Sequence, residues 1–142
     1  MQTSGFFNST VGADGSYDRQ YVAEQFAEYF ASFVGNGVFQ SISNALLVTE
    51  ASSPSMSVTV QAGQGWINGY WYKNSTELPL SVAISDGVLG RIDLVVLQLG
   101  FSERTIQCVV KTGTPAASPV APTLQRDNDY YELELAQVNV PA

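Results

Sequence analysis

The apolar residues of this chain change their spacing once, and that change limits the fold more than any other feature. Between Asp18 and Val34, Val22, Phe26, Tyr29, Phe30 and Phe33 recur as one face of a 3.6-residue period. After Gly37 the period falls to two, in short runs separated by Gly, Pro, Asn, Asp and Ser clusters at intervals of about ten residues. The pattern predicts a mainly β domain with one N-terminal α-helix, an antiparallel sandwich or barrel-like body packed by that helix. Asp18 reads as the N-cap and Gly35-Asn36-Gly37 as a left-handed stop, giving a helix over about 18–34. The expected strands are Ala45–Thr49, Ser57–Gln61, Gly65–Ile67, Tyr70–Lys73, Leu78–Ile84, Arg91–Leu99, Thr105–Lys111 and Tyr131–Val140. Leu94-Val95-Val96-Leu97 is apolar without alternation, as in a central strand covered on both faces, and the helix is the expected cover on one side. With 142 residues, no internal repeat and no second core, residues 17–142 form a single domain.

Residues 1–16 are mostly Gly, Ser, Thr, Asn and Asp around Phe6-Phe7, which reads as an extended N-terminal arm. Leaving two phenyl rings in water forgoes about 1.5–3 kcal/mol each, so the arm is expected to dock, with another subunit as one candidate surface. On the helix, the aromatic stripe adjoins a ridge of Ala23, Ala27 and Ala31, with Glu24, Gln25, Glu28 and Ser32 opposite. A helix on its own sheet needs the aromatic stripe alone. The small-residue ridge therefore suits close approach by a second surface, unless the alanines serve simply as helix formers. Phe6, Phe7, Ala23, Ala27, Phe30 and Ala31 are the candidate residues for an oligomer or partner interface.

Asn68-Gly69 marks a type I′ hairpin, in which Trp66 faces Trp71 on one side while Ile67, Tyr70 and Tyr72 lie on the other. Gly100-Phe101-Ser102-Glu103 closes a second hairpin, and Thr114–Pro122, with three prolines, is a surface excursion. Trp66, Tyr70, Trp71 and Tyr72 are candidates for stacking on a saccharide; a place in the core or in a subunit interface is the competing expectation.

Catalytic vocabulary is sparse. Histidine is absent, cysteine occurs once at Cys108, and thirteen acidic against six basic residues give a net charge of −7. Triads, thiol–imidazole pairs and zinc knuckles are excluded, and no basic footprint for nucleic acid or anionic membrane exists. Gly63-Gln64-Gly65-Trp66-Ile67-Asn68 fails as a dinucleotide fingerprint because Asn68 stands where the third glycine belongs. Asp127-Asn128-Asp129 lacks the glycine and closing glutamate of a calcium loop and reads as a capped turn. Asp93 with Glu132 or Glu134 is the conceivable carboxylate pair, but Arg91, two residues from Asp93, makes a structural ion pair the stronger expectation. Asn8 and Asn74 head glycosylation-type triplets, for which chance suffices. No apolar run reaches the length of a membrane span, and the first residues lack the features of an export signal. No catalytic residue, cofactor or metal is expected.

Several strings, taken in order, carry a resemblance: Gly5-Phe6-Phe7-Asn8-Ser9, Asp18-Arg19-Gln20-Tyr21, Phe26-Ala27-Glu28-Tyr29-Phe30 and Gly35-Asn36-Gly37-Val38-Phe39. Further on come Val60 to Tyr70, Gly90-Arg91-Ile92-Asp93, Lys111 to Ala116 and Tyr131 to Ala136. From Gly5 to Ala142 the chain resembles the N-terminal domain of tail and baseplate proteins of bacteriophages infecting Gram-positive bacteria, the baseplate upper protein and receptor-binding protein group. The resemblance implies a virion structural protein, a docking domain that links the host-recognition apparatus to the tail. It implies homo-oligomers, commonly trimers, and neighbouring tail or baseplate proteins as partners, with assembly in the bacterial cytoplasm. Members of the group often continue into a stalk or fibre, so this chain is expected to be either an excised domain or a short adaptor. The alternative function is a carbohydrate-binding module for host cell-wall saccharide.

Overall fold

Four consecutive aliphatic residues, Leu94 to Leu97, are all fully buried, and the architecture is organised around covering them. The computed structural model describes residues 2–51 and 55–142. In chain order its elements are α1 (Ala23–Ala31), β1 (Gly37–Val38), β2 (Val48–Glu50), β3 (Ser57–Val60), β4 (Gly63–Ile67), β5 (Tyr70–Asn74), β6 (Leu78–Ser81), β7 (Arg91–Gly100), β8 (Thr105–Lys111) and β9 (Tyr130–Val140). The strands form three antiparallel three-stranded sheets, β1-β4-β5, β2-β3-β6 and β8-β7-β9. The protein is thus mainly β with a single short helix among the described residues.

The long sheet has β7 at its centre, and each of its two faces has a different cover. Val95, Leu97 and Leu99 join Val58, Val60, Ile67 and Leu46 in the main core, under the two smaller sheets. On the other face, Leu94 and Val96 are buried apart from that core, and the proline-rich excursion that follows β8 is anchored to the same sheet. That excursion is tied down by hydrogen bonds from Ala116 N–H to Gly90 O (3.1 Å), from Lys111 Nζ to Thr123 O (2.9 Å) and from Gln125 N–H to Glu132. The expected cover by the helix is therefore corrected. α1 sits at the tip of the β4–β5 hairpin, where the Gly69 turn lies against the Ala27 backbone and Asn36 bonds to Asn68.

The helix is also shorter than 18–34 at both ends. Val22 is the N-cap, with its N–H bonded to Gln25 Oε1 at 3.0 Å. Asp18 does not cap: its Oδ1 accepts the Thr10 N–H at 2.7 Å, and the Asp18 N–H returns a bond to Thr10 O. Nor do Gly35 and Gly37 take left-handed φ; the helix ends at Ser32 in right-handed geometry, with Phe33 and Val34 bonded to the Phe30 carbonyl. At Ala45 and Leu46 the expected strand is a turn with φ of 52° and 54°, and pairing starts at Val48. The Leu78–Ile84 strand stops at Ser81 and leaves Ile84 exposed. The 68–69 hairpin has φ of 49° at Asn68 and 84° at Gly69, as a type I′ turn requires. Its register sets Trp66 opposite Trp71 and Ile67 opposite Tyr70.

Candidate functional site

The helix meets the rest of the protein at Ala27 and through the ring of Phe30. Ala27 is its one buried position, at 5% exposure. A Cβ on Gly69 would collide with the Ala27 carbonyl, so the hairpin turn lies directly against the helix backbone. Asn36 completes the attachment: its Oδ1 accepts the Asn68 N–H at 2.6 Å and its Nδ2 donates to Asn68 Oδ1 at 2.9 Å. The sequence expectation placed the aromatic stripe inward and the alanine ridge outward, but at Ala27 the arrangement is the reverse. An alanine backbone can approach a glycine turn closely, whereas a phenyl ring in that position would hold the two apart.

The consequence is an aromatic face turned to solvent. Phe26 (43%), Tyr29 (50%) and Phe33 (59%) remain substantially exposed, as do Phe6 and Phe30. The rings form one connected set. Phe6 lies 5.1 Å from Phe26 and 4.8 Å from Tyr29, and Tyr29 lies 5.7 Å from Phe30 and 5.2 Å from Phe33. Phe30 reaches Trp66 edge-on at 5.6 Å, which links the face to the body. Each ring carries roughly 150–250 Å², so five rings at about half exposure present on the order of 500 Å², near the upper limit for a protein that stays alone.

The N-terminal arm is docked on its own helix. Val11 and Tyr17 pair in an antiparallel bridge around a turn in which the Gly12 N–H reaches Ser16 O at 2.8 Å. The Tyr21 hydroxyl accepts the Phe7 N–H at 2.8 Å and donates to the Phe7 carbonyl at 3.1 Å. Phe6 adopts φ of 65°, a conformation costing about 1–3 kcal/mol outside glycine, and so lays its ring over Tyr21, Phe26 and Tyr29. Backbone hydrogen bonding from Thr10, and then the neighbouring Arg19, hold the Asp18 carboxyl below the usual range. Of the six interface candidates, Phe6 and Phe30 belong to the aromatic face and Ala27 is buried inside the molecule. Ala23 and Ala31 are exposed, and Phe7 stands apart, with the Arg19 guanidinium 5.9 Å from its ring. Phe26, Tyr29 and Phe33 were assigned to the protein's own core by their spacing, and no local signal marks them as exposed.

The four saccharide-stacking candidates do not share one surface. Trp66 packs under Phe30 and Phe39, with its indole N–H buried and without a hydrogen-bond partner. Tyr70 and Tyr72 pack against the core, and the Tyr72 hydroxyl accepts from Cys108 Sγ at 3.5 Å. Burial pushes the ionisation of both Tyr72 and Cys108 upward, so the thiol stays protonated and inert. Trp71 alone of the four is open, at 57% exposure.

The acidic candidates are structural. Asp93 is fully buried, its Oδ1 accepting Arg91 Nε at 2.9 Å and the Gly113 N–H at 2.7 Å, while Arg91 also donates to the Ala83 and Ile84 carbonyls. Glu132 lies on the opposite face, where it accepts from Lys111 Nζ (2.6 Å), Gln98 Nε2 (2.7 Å) and the Gln125 N–H (2.6 Å). Burial pushes its carboxyl up, but those three hydrogen bonds outweigh that and leave it below the ordinary range. Asp127 caps its turn by accepting the Asp129 and Tyr130 N–H groups. Among the described residues no cluster of three or more Asp, Glu or Cys is placed to hold a metal, and no helix is long and apolar enough to cross a membrane. No family model, curated protein or solved structure matches the chain.

Proposed function

We propose that this chain is a virion attachment domain, joining the host-recognition apparatus of a bacteriophage tail or baseplate to the tail, and that it assembles with copies of itself through the aromatic face. The observation that carries this reading is the connected set Phe6, Phe26, Tyr29, Phe30 and Phe33, exposed on an arm and helix that the body holds at its edge. Apolar area of this extent is stable in water when a partner covers it. The resemblance of the ordered strings between Gly5 and Ala142 to tail and baseplate proteins suggests the virion setting, and the acidic, histidine-free composition suits a part that binds and does not catalyse. Both faces of β7 are filled by side chains and both buried carboxylates are paired, so no catalytic role is assigned.

Sedimentation of the wild-type chain against the Phe30→Ser/Phe33→Ser double variant tests the reading. Phe33 is 59% exposed and Phe30 37%, neither in the main core, so the variant is expected to keep its far-ultraviolet dichroism while losing the oligomer. A wild-type chain that stays monomeric at high concentration, or a double variant that associates as before, would defeat it.

A further inference from the structure

A cavity of about 440 Å³ opens where the start of α1, strand β5 and the loop between β7 and β8 converge, walled by Ala23, Glu24, Tyr70, Trp71, Phe101 and Arg104. It is separate from the Phe26–Phe33 side of the helix, and its volume falls within the usual range for small-molecule sites. Trp71 forms an open wall, and its orientation is fixed: Nε1–H donates to Gln64 Oε1 at 3.1 Å across the hairpin. With the one polar atom of the indole engaged, what remains toward the cavity is aromatic surface. Phe101, at the edge of exposure, adds a second ring. Arg104 stands in left-handed geometry, φ 51°, and makes no ion pair or hydrogen bond among the described residues.

From these features we infer a saccharide-binding subsite in which one sugar ring stacks on Trp71 between Glu24 and Arg104. The ligand class follows from the mixed chemistry of the walls. Arginine offers donors alone and glutamate acceptors alone, so a ligand using both must carry donors and acceptors together, as vicinal hydroxyls do. The same ligand must turn an apolar face to the indole, which a pyranose does through its axial C–H groups. A purely apolar ligand would leave both charges unsatisfied, and a polyanion meets a chain of net charge −7. The site uses Phe101 and Arg104, neither of which the spacing of aromatic residues singled out, and it excludes Trp66 and Tyr72, which are packed away.

Calorimetric titration of the full chain with three neutral sugars, maltotriose, N-acetylchitotriose and cellotriose, tests the inference, alongside the indole N–H resonance of Trp71. At least one of the three is expected to bind and to shift that resonance more than that of Trp66. Trp71→Ala is expected to weaken binding at least about tenfold, Arg104→Ala by a few fold, and Trp71→Phe less than Trp71→Ala. Retained dichroism and an unchanged oligomeric mass in Trp71→Ala separate this outcome from failure of the assembly reading, which the Phe30/Phe33 variant addresses. Absence of any shift at Trp71 with all three sugars, or binding that survives Trp71→Ala, overturns the site. So does a titration in which an unrelated apolar peptide competes fully for the cavity.

Discussion

The β8-β7-β9 sheet and the arm–helix unit handle the same kinds of residues in opposite ways. In the sheet, apolar side chains are enclosed and each buried charge has its partners: Asp93 has Arg91 and the Gly113 N–H, and Glu132 has Lys111, Gln98 and the Gln125 N–H. In the arm–helix unit, nine helical residues bury one alanine and most of the large apolar groups stand in water. One region is stable through what it encloses, and the other is available through what it leaves uncovered. Stability and binding surface are thus divided between different segments, so that each can be altered without the other.

The largest expected effect is in the sheet. Asp93→Ala leaves the Arg91 guanidinium buried without its carboxylate and is expected to cost about 3–5 kcal/mol in chemical denaturation. A loss below about 1 kcal/mol would show that the enclosed polar pair contributes little and would erase the contrast.

Next is the joint between the two regions. Gly69→Ala places a Cβ against the Ala27 carbonyl at a φ of 84°, with an expected cost of about 1–3 kcal/mol. Amide exchange should accelerate in α1 and the arm while β7 and β9 stay protected. Equal acceleration in the sheet would mean that the two regions open as one unit.

Acid should act mainly on the sheet. The Glu132 carboxyl is depressed in the folded state, so its stabilisation is present above the ordinary glutamate range and is lost as the pH falls through its lower folded value. The denaturation midpoint should therefore drop as the pH falls below the ordinary glutamate range, with a shallower slope in Glu132→Gln. Some slope remains in that variant, because the Asp14, Asp18 and Asp127 carboxyls are also lowered by hydrogen bonds. An unchanged slope would remove Glu132 from the account.

The smallest effect on stability is expected from deleting residues 1–16. Their contacts are to Phe26 and Tyr29 on the helix and to Tyr17, Asp18, Arg19 and Tyr21 just before it, so the thermal midpoint of the β fold should move little. Self-association should weaken nonetheless, since Phe6 leaves the aromatic face. Collapse of the β signal on deletion would show that the arm belongs to the core.

The sequence by itself determined the local features. Period two after Gly37 predicted eight of the nine strands, β1 being missed and Thr105–Lys111 matching to the residue, because alternation reports a half-buried strand through its own side chains. Asn68-Gly69 set the hairpin and its register, since positive φ at two successive positions leaves few alternatives. Arg91 and Asp93, two apart on one strand, were legible as a pair for the same reason. Tertiary structure decided what depends on distant partners. Which side of α1 turned inward depended on Gly69, some forty residues away, whose bare backbone lets the hairpin turn press against the helix backbone at Ala27. Asp18 was drawn from the helix end by its hydrogen bonds with Thr10, and Trp66, though opposite Trp71, was covered where Phe30 and Phe39 came to rest while Trp71 stayed open. A periodic pattern states that a helix has an apolar face; only the packed chain states which neighbour, if any, covers it.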